Sequence, residues 1–253
     1  MKKIFFTAFA ATLLLAGCVK KDMSTTDSLS QTVASNATTL DLSKCKMRRI
    51  YQVDFNGLAS ALFSYNKLGN PYSVLYSDGG TGVNDHYFLY DAKNRLKQYD
   101  LTWVGYLHEQ HFYSHNQADQ IVKDSAIYRD CCGRTSSINV STIEYDLMGR
   151  VVKETIVNKF NEFGPPGGIR RPTYTYDSRG NLAVKDWKSS SYDYKINPLR
   201  QNAVFQFIFR NYSMNNAAVQ PKYNSLGLPL SIKPSNDYFF NEFETVKIVY
   251  DCQ

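Results

Sequence analysis

The chain has 253 residues, a formal charge of +6, 43% hydrophobic and 14% aromatic residues. That apolar share excludes a wholly disordered chain, and the length suits one large domain or two small ones. The 19 Tyr and 15 Phe favour strands over helices, and no coiled-coil tract is present.

Met1-Lys2-Lys3 is a short basic start, and Ile4 to Leu15 is apolar apart from Thr7 and Thr12. The run is shorter than the about 20 residues that a membrane-spanning helix needs. A basic start followed by a run of this length has the form of a secretory signal. It ends in Leu15-Ala16-Gly17-Cys18, which resembles a bacterial lipobox. The resemblance implies removal of residues 1–17 and lipid attachment at Cys18. Position 19 is Val rather than the Asp of inner-membrane retention. The expected location is therefore the outer membrane, on its periplasmic or cell-surface face. Several acyl chains anchor stably where one is marginal.

Residues 18–39 are expected to form a flexible tether. Nine of the sixteen residues from Ser24 to Thr39 are Ser or Thr, and none is aromatic. The folded domain is expected over 40–253. Loss of Lys2 and Lys3 with the signal lowers the formal charge to about +4. The remaining basic residues are scattered, which argues against nucleic acid as a partner.

From residue 63 onward six segments share one pattern. An aromatic position, Tyr65, Tyr90, His115, Tyr145, Tyr176 or Tyr223, is followed by Asn66, Asp91, Asn116, Asp146, Asp177 or Asn224. Three residues further stands Gly69, Asn94, Asp119, Gly149, Gly180 or Gly227. An Asx side chain at the start of a turn bonds the backbone ahead of it. Gly, Asn and Asp tolerate the positive φ that a type I turn followed by a bulge requires. The register then sets Asp91 opposite Arg95 and Asp146 opposite Arg150. It also pairs Tyr90 with Leu96, Tyr145 with Val151 and Tyr176 with Leu182, so each unit is a hairpin with one apolar face.

The spacings are 25, 25, 30, 31 and 47 residues, and the last gap is expected to contain a diverged copy. Tyr250-Asp251 supplies half a repeat. Seven or eight hairpins imply roughly 14 to 16 strands. A sheet of that width does not stay flat. The expected fold is all-β: an antiparallel meander of hairpins curled into an open or closed barrel-like sheet.

Tyr145-Asp146-Leu147-Met148-Gly149-Arg150, followed by apolar Val151, resembles the YD repeat of bacterial surface and toxin-carrier proteins. The self-cleaving terminal segment of the large members has no counterpart here, so toxin encapsulation is not implied. Tyr192-Asp193 before Asn197-Pro198, then Asn215-Asn216 and Tyr250-Asp251-Cys252, are similar to small surface lipoproteins with YD-type hairpins. That likeness implies a barrel-like antiparallel sheet and no established activity.

Apart from Cys18, the cysteines are Cys45, Cys131, Cys132 and Cys252, which allow three connectivities. In a closed barrel of even strand number Cys45 and Cys252 are neighbours, which makes them the disulfide candidates. Cys131-Cys132 lies in a hairpin loop between Asp130 and Gly133-Arg134, either bridged or reduced. All four histidines fall between 86 and 115. His108 and His111 point to opposite faces of a strand, so they do not form a zinc motif. His115 replaces the repeat tyrosine.

No nucleophile triad with its supporting glycines, phosphate loop or dinucleotide fingerprint is present. No catalytic residue, metal ligand or cofactor is assigned. The expected function is a non-catalytic envelope lipoprotein, anchored to the membrane by lipid. It would bind or scaffold an extracellular polymer, such as a glycan, or an envelope protein. The alternative is a glycan-processing enzyme or its accessory subunit, which needs two carboxylates about 5–9.5 Å apart across a pocket. Residues 77–84, 158–171 and 211–220 break the repeat spacing and are expected to be long loops, where contacts concentrate.

Overall fold

The computed structural model of the chain describes residues 45–52, 60–77, 83–183, 192–217, 219–233 and 245–252. The signal, Cys18 and the tether lie outside them. Thirteen strands form one antiparallel sheet. The first five are β1 (Cys45–Gln52), β2 (Ser60–Tyr65), β3 (Pro71–Tyr76), β4 (Asp85–Tyr90) and β5 (Leu96–Trp103). Next come β6 (Tyr106–His115), β7 (Ile121–Arg129), β8 (Thr135–Tyr145), β9 (Val151–Asn161) and the short β10 (Ile169–Arg170). The last three are β11 (Val219–Tyr223), β12 (Pro229–Lys233) and β13 (Val246–Cys252).

Strands β1 to β10 follow one another as a meander, and β13, β12 and β11 continue from the other side of β1. The sheet is curled but open, with β10 and β11 as its edges. Cys45 and Cys252 are joined by a disulfide. They are neighbours because β13 pairs directly with β1, Cys45 opposite Cys252, and not because the sheet closes.

The repeat turns share one construction. In each, the Asx Oδ1 accepts from the backbone N–H groups two and four residues on, as Asp146 does from Met148 and Arg150 at 2.9 and 3.0 Å. The fourth residue has positive φ throughout: four glycines between 75° and 85°, and Asn94 and Asp119 at 59°. The N–H of the Asx residue donates to the carbonyl beyond the bulge, as from Asp91 to Arg95 at 3.0 Å. Arg95 and Arg150 also bond back to Asp91 and Asp146 through their guanidinium groups at 2.7–2.8 Å. Tyr90 pairs with Leu96, Tyr145 with Val151 and Tyr176 with Leu182. Asp130 to Arg134 repeats the same turn, with Gly133 at φ 78°, at the opposite end of the sheet.

The 47-residue gap departs from expectation. Within 192–217 only the opening of a unit is kept, where Asp193 Oδ1 accepts from Lys195 N–H at 2.7 Å, and no hairpin of paired strands follows among the described residues. Instead a 3-10 turn (Pro198–Gln201) and the helix α1 (Ala203–Ile208) fill the inner face of the sheet. Fully buried Phe205 meets Phe63 and Phe88 edge to face, with ring centroids 5.9 and 6.2 Å apart. Phe207 meets Tyr113 in the same way at 5.4 Å.

Asn202 caps α1 by accepting from Val204 N–H at 2.8 Å, and its amide donates to the Gly69 carbonyl at 3.3 Å. The cap thus ties this plug to the first repeat turn. Arg210 bonds Glu154 of β9 at 2.7 Å, and Glu154 also accepts from the Tyr174 hydroxyl at 2.8 Å. A buried ion pair of this kind is costly to break from one side.

Two of the expected long loops are corrected as well. Residues 158–161 belong to β9, and the chain folds back so that Ile169–Arg170 pairs with β9 as an edge strand. Asn211, Ser213 and Asn216 are buried rather than displayed. They are small polar residues whose side chains or carbonyls are consumed inside the plug, for example Ser213 N–H to Asn211 Oδ1 at 3.0 Å. Only the ends of the 77–84 stretch are among the described residues.

Candidate functional site

The six repeat turns lie at one end of the sheet, and the aromatic residue ahead of each forms part of a ladder. Apart from Tyr223, each tyrosine hydroxyl donates to a carbonyl of the neighbouring strand or hairpin, in every case but that of Tyr65 just past a repeat turn. Tyr65 bonds Met47, Tyr90 bonds Pro71, and Tyr145 bonds Ile121, at 2.7–2.8 Å. Tyr176 bonds Val151 at 3.2 Å, Tyr192 bonds Leu182 at 2.8 Å, and Tyr250 bonds Pro229 at 2.9 Å. Tyr223 meets the Asp193 carboxylate and accepts from the Asn216 amide, which brings a plug residue to the other edge of the sheet.

The ladder is interrupted between Tyr90 and Tyr145. The residue there is His115, and the carbonyl that a tyrosine would reach is that of Leu96. An imidazole is shorter than a phenol and has no hydroxyl, so this rung is missing. A cleft of about 310 Å³ opens at the same place. Tyr90, His115, Leu96, Ile121 and Tyr145 line its sheet side, and Val204, Phe207 and Tyr212 its plug side. Asn70, Asn94, Arg95, Asp119 and Gln120 add polar groups. Arg95 is already paired with both Asp91 and Asp119 at 2.7 Å. The volume lies at the small end of the range for ligand pockets, and aromatic walls with a few polar groups are their usual lining. Burial, followed by the Arg95 charge, holds the His115 pKa below its ordinary value.

A second polar group occupies the inner face farther from the turns. His111 of β6 donates from Nδ1 to Asp124 of β7 at 2.8 Å and from Nε2 to Glu109 at 2.7 Å. Tyr128 stands opposite Glu109 in the β6–β7 register, and its ring meets that of His111 edge to face at 6.5 Å. His86, Tyr99, His111 and Tyr113 form a row of rings with centroid separations of 5.6–6.0 Å. His86 Nδ1 lies 2.5 Å from the Tyr99 hydroxyl.

The two histidines have opposite electrostatics. Burial alone pulls the His111 pKa down, but the hydrogen bonds and charges of Asp124 and Glu109 outweigh it and raise it from 6.5 to about 9. Burial lowers that of His86 to about 3. The stabilisation from His111 is full below pH 6.5 and lost as pH rises through about 9. That from His86 is full above 6.5 and lost as pH falls toward 3. The melting temperature is therefore expected to peak near pH 6.5. Scanning calorimetry of the chain and of His111→Gln over pH 5–10 checks this. The variant should be less stable near neutrality and lack the decline between 6.5 and 9, a decline on the order of 2–3 kcal/mol in the parent chain.

Among the sequence-derived candidates, the six turns share one end of the sheet, while the Cys45–Cys252 bridge joins β1 to β13. Cys131 and Cys132 are free and exposed at the other end, their sulfurs 3.8 Å apart. His108 is exposed on the outer face. The grouping of Glu109 and Asp124 around His111 is not among the candidates from sequence. Strand parity puts Glu109 beside His111, but placing Asp124 there needs the β6–β7 register, which shifts between Ser114 and His115. No family model matches the chain, and no curated protein matches it.

Proposed function

We propose that the chain is a non-catalytic, lipid-anchored binding module of a bacterial outer membrane, facing the periplasm or the cell surface. In this reading it is a YD-type hairpin protein that holds an extracellular polymer or an envelope protein. The observation that carries it is the cleft at the interrupted tyrosine ladder, where a rigid turn-and-sheet scaffold and a packed plug leave aromatic and polar side chains accessible together. The lipobox-like Cys18 and the Ser/Thr tether support the location. The acidic pair on the inner face does not favour the enzymatic alternative. The His111 imidazole fills the space between Glu109 and Asp124, where a glycosidic bond would have to lie.

Cell fractionation and retention assays test the proposal together. The chain should enter the membrane fraction and incorporate labelled fatty acid, and Cys18→Ser should abolish both. Immobilised envelope polysaccharide or envelope protein should retain the purified chain in a saturable manner. Retention by neither material overturns the binding role, and fatty-acid labelling that survives Cys18→Ser overturns the anchor.

A further inference from the structure

The missing rung has a specific chemical complement. At six rungs of the ladder a phenol ring fills the space between neighbouring strands, and its hydroxyl donates to a backbone carbonyl. At His115 the ring is smaller and the donor is absent, while the Leu96 residue that would receive it lines the cleft. A ligand that completes this place must be compact, carry an apolar face against Tyr90 and Tyr145, and offer a hydroxyl donor. A carbonyl oxygen has two lone pairs, so it can take such a donor in addition to a backbone partner.

Charge narrows the class further. Arg95 is flanked by the carboxylates of Asp91 and Asp119, each within 2.7 Å, so the cleft has no uncompensated guanidinium for an anionic ligand. Asn70, Asn94 and Gln120 are neutral amides that serve as both donors and acceptors. This combination suits a neutral polyhydroxylated ring. Resting on the proposed role as an envelope binding module, we infer that the cleft at His115 binds one neutral pyranose unit of a glycan, with a sugar hydroxyl taking the place of the missing tyrosine hydroxyl on the Leu96 carbonyl. The volume of about 310 Å³ accommodates a single sugar ring.

The repeat itself provides the decisive substitution. His115→Tyr converts this position to the residue found at the other rungs. Its ring should fill the cleft and its hydroxyl should reach Leu96, so the variant folds with a melting temperature equal to or above that of the parent chain. Binding to a panel of immobilised neutral oligosaccharides is measured for the full chain, for His115→Tyr, and for Gln120→Ala, which trims the polar lining without filling the cleft. The expected result is saturable binding of a neutral sugar by the parent chain. His115→Tyr should lose it at least tenfold with stability retained, and Gln120→Ala should weaken it less.

Unchanged sugar binding in folded His115→Tyr overturns the placement in this cleft and leaves the broader binding role standing. If His115→Tyr does not fold, the Gln120→Ala result decides: unaltered affinity there overturns the inference. A parent chain that is retained by envelope protein but by no glycan also overturns it. A chain retained by neither overturns the binding role as well.

Discussion

Replacing Cys45 and Cys252 together with serine is expected to lower the free energy of unfolding by about 5 kcal/mol at 25 °C. The bridge spans a sequence separation of 207 residues, nearly the whole described domain. On the chain-entropy account, a cross-link over so long a loop removes many conformations from the unfolded ensemble. The two cysteines already face each other in the β1–β13 register, so the native state has little to give up when the bond is absent. Urea unfolding of the double variant, with the oxidised and reduced parent chain alongside, measures the effect. The denaturant slope should also rise, because the unlinked chain exposes more surface when it unfolds. A loss below 1 kcal/mol would show that the unfolded chain stays compact without the bond and would overturn this account.

Phe205→Ala should cost about 3–5 kcal/mol, the range for removing a buried aromatic ring from a core. The ring is fully buried and meets Phe63 of β2 and Phe88 of β4 at right angles, so three elements converge on it. The neighbouring backbone is held by the Asn202 cap and by the Arg210–Glu154 pair, which limits how far the plug can relax into the space left behind. Chemical denaturation followed by tyrosine fluorescence should show one transition, displaced to lower denaturant. Leu226→Ala, at an exposed turn, should change stability by about 0.5 kcal/mol or less. An equally small change for Phe205→Ala would mean that the plug lies on a core complete without it.

The turns are legible in the sequence because their chemistry is local. An Asx residue and a residue that accepts positive φ, three positions apart, determine the turn, the bulge and the strand register at once. Asp130 to Arg134 follows the same rule, yet its aromatic position is taken by Arg129, which hides it from a search anchored on tyrosine.

The plug is not legible in this way. Ala203-Val204-Phe205-Gln206-Phe207-Ile208 alternates aromatic residues and contains β-branched ones, a pattern that suits a strand. A helix of six residues has little stability of its own, and burial of Phe205 and Phe207 against the sheet decides its form. The position of β13 is equally hidden. Pairing of Cys45 with Cys252 fits both a closed barrel and an inserted strand, and only long-range packing distinguishes them.

The candidate cleft lies between these cases. His115 is visible as the exception to a tyrosine pattern. What the exception removes becomes apparent only once each hydroxyl is seen to bond the hairpin next door.

The position of β13 between β1 and β12 also bears on how the molecule is made. Twelve strands are synthesised before the one that must lie against the first of them. Until that strand arrives, β1 presents an unpaired edge, a template for annealing to another chain. Any factor that covers this edge until β13 is made would suit this order of assembly. Formation of the Cys45–Cys252 bond then records that the seam has been sewn, so an oxidase acting early would trap an incomplete sheet and one acting late would lock a finished one.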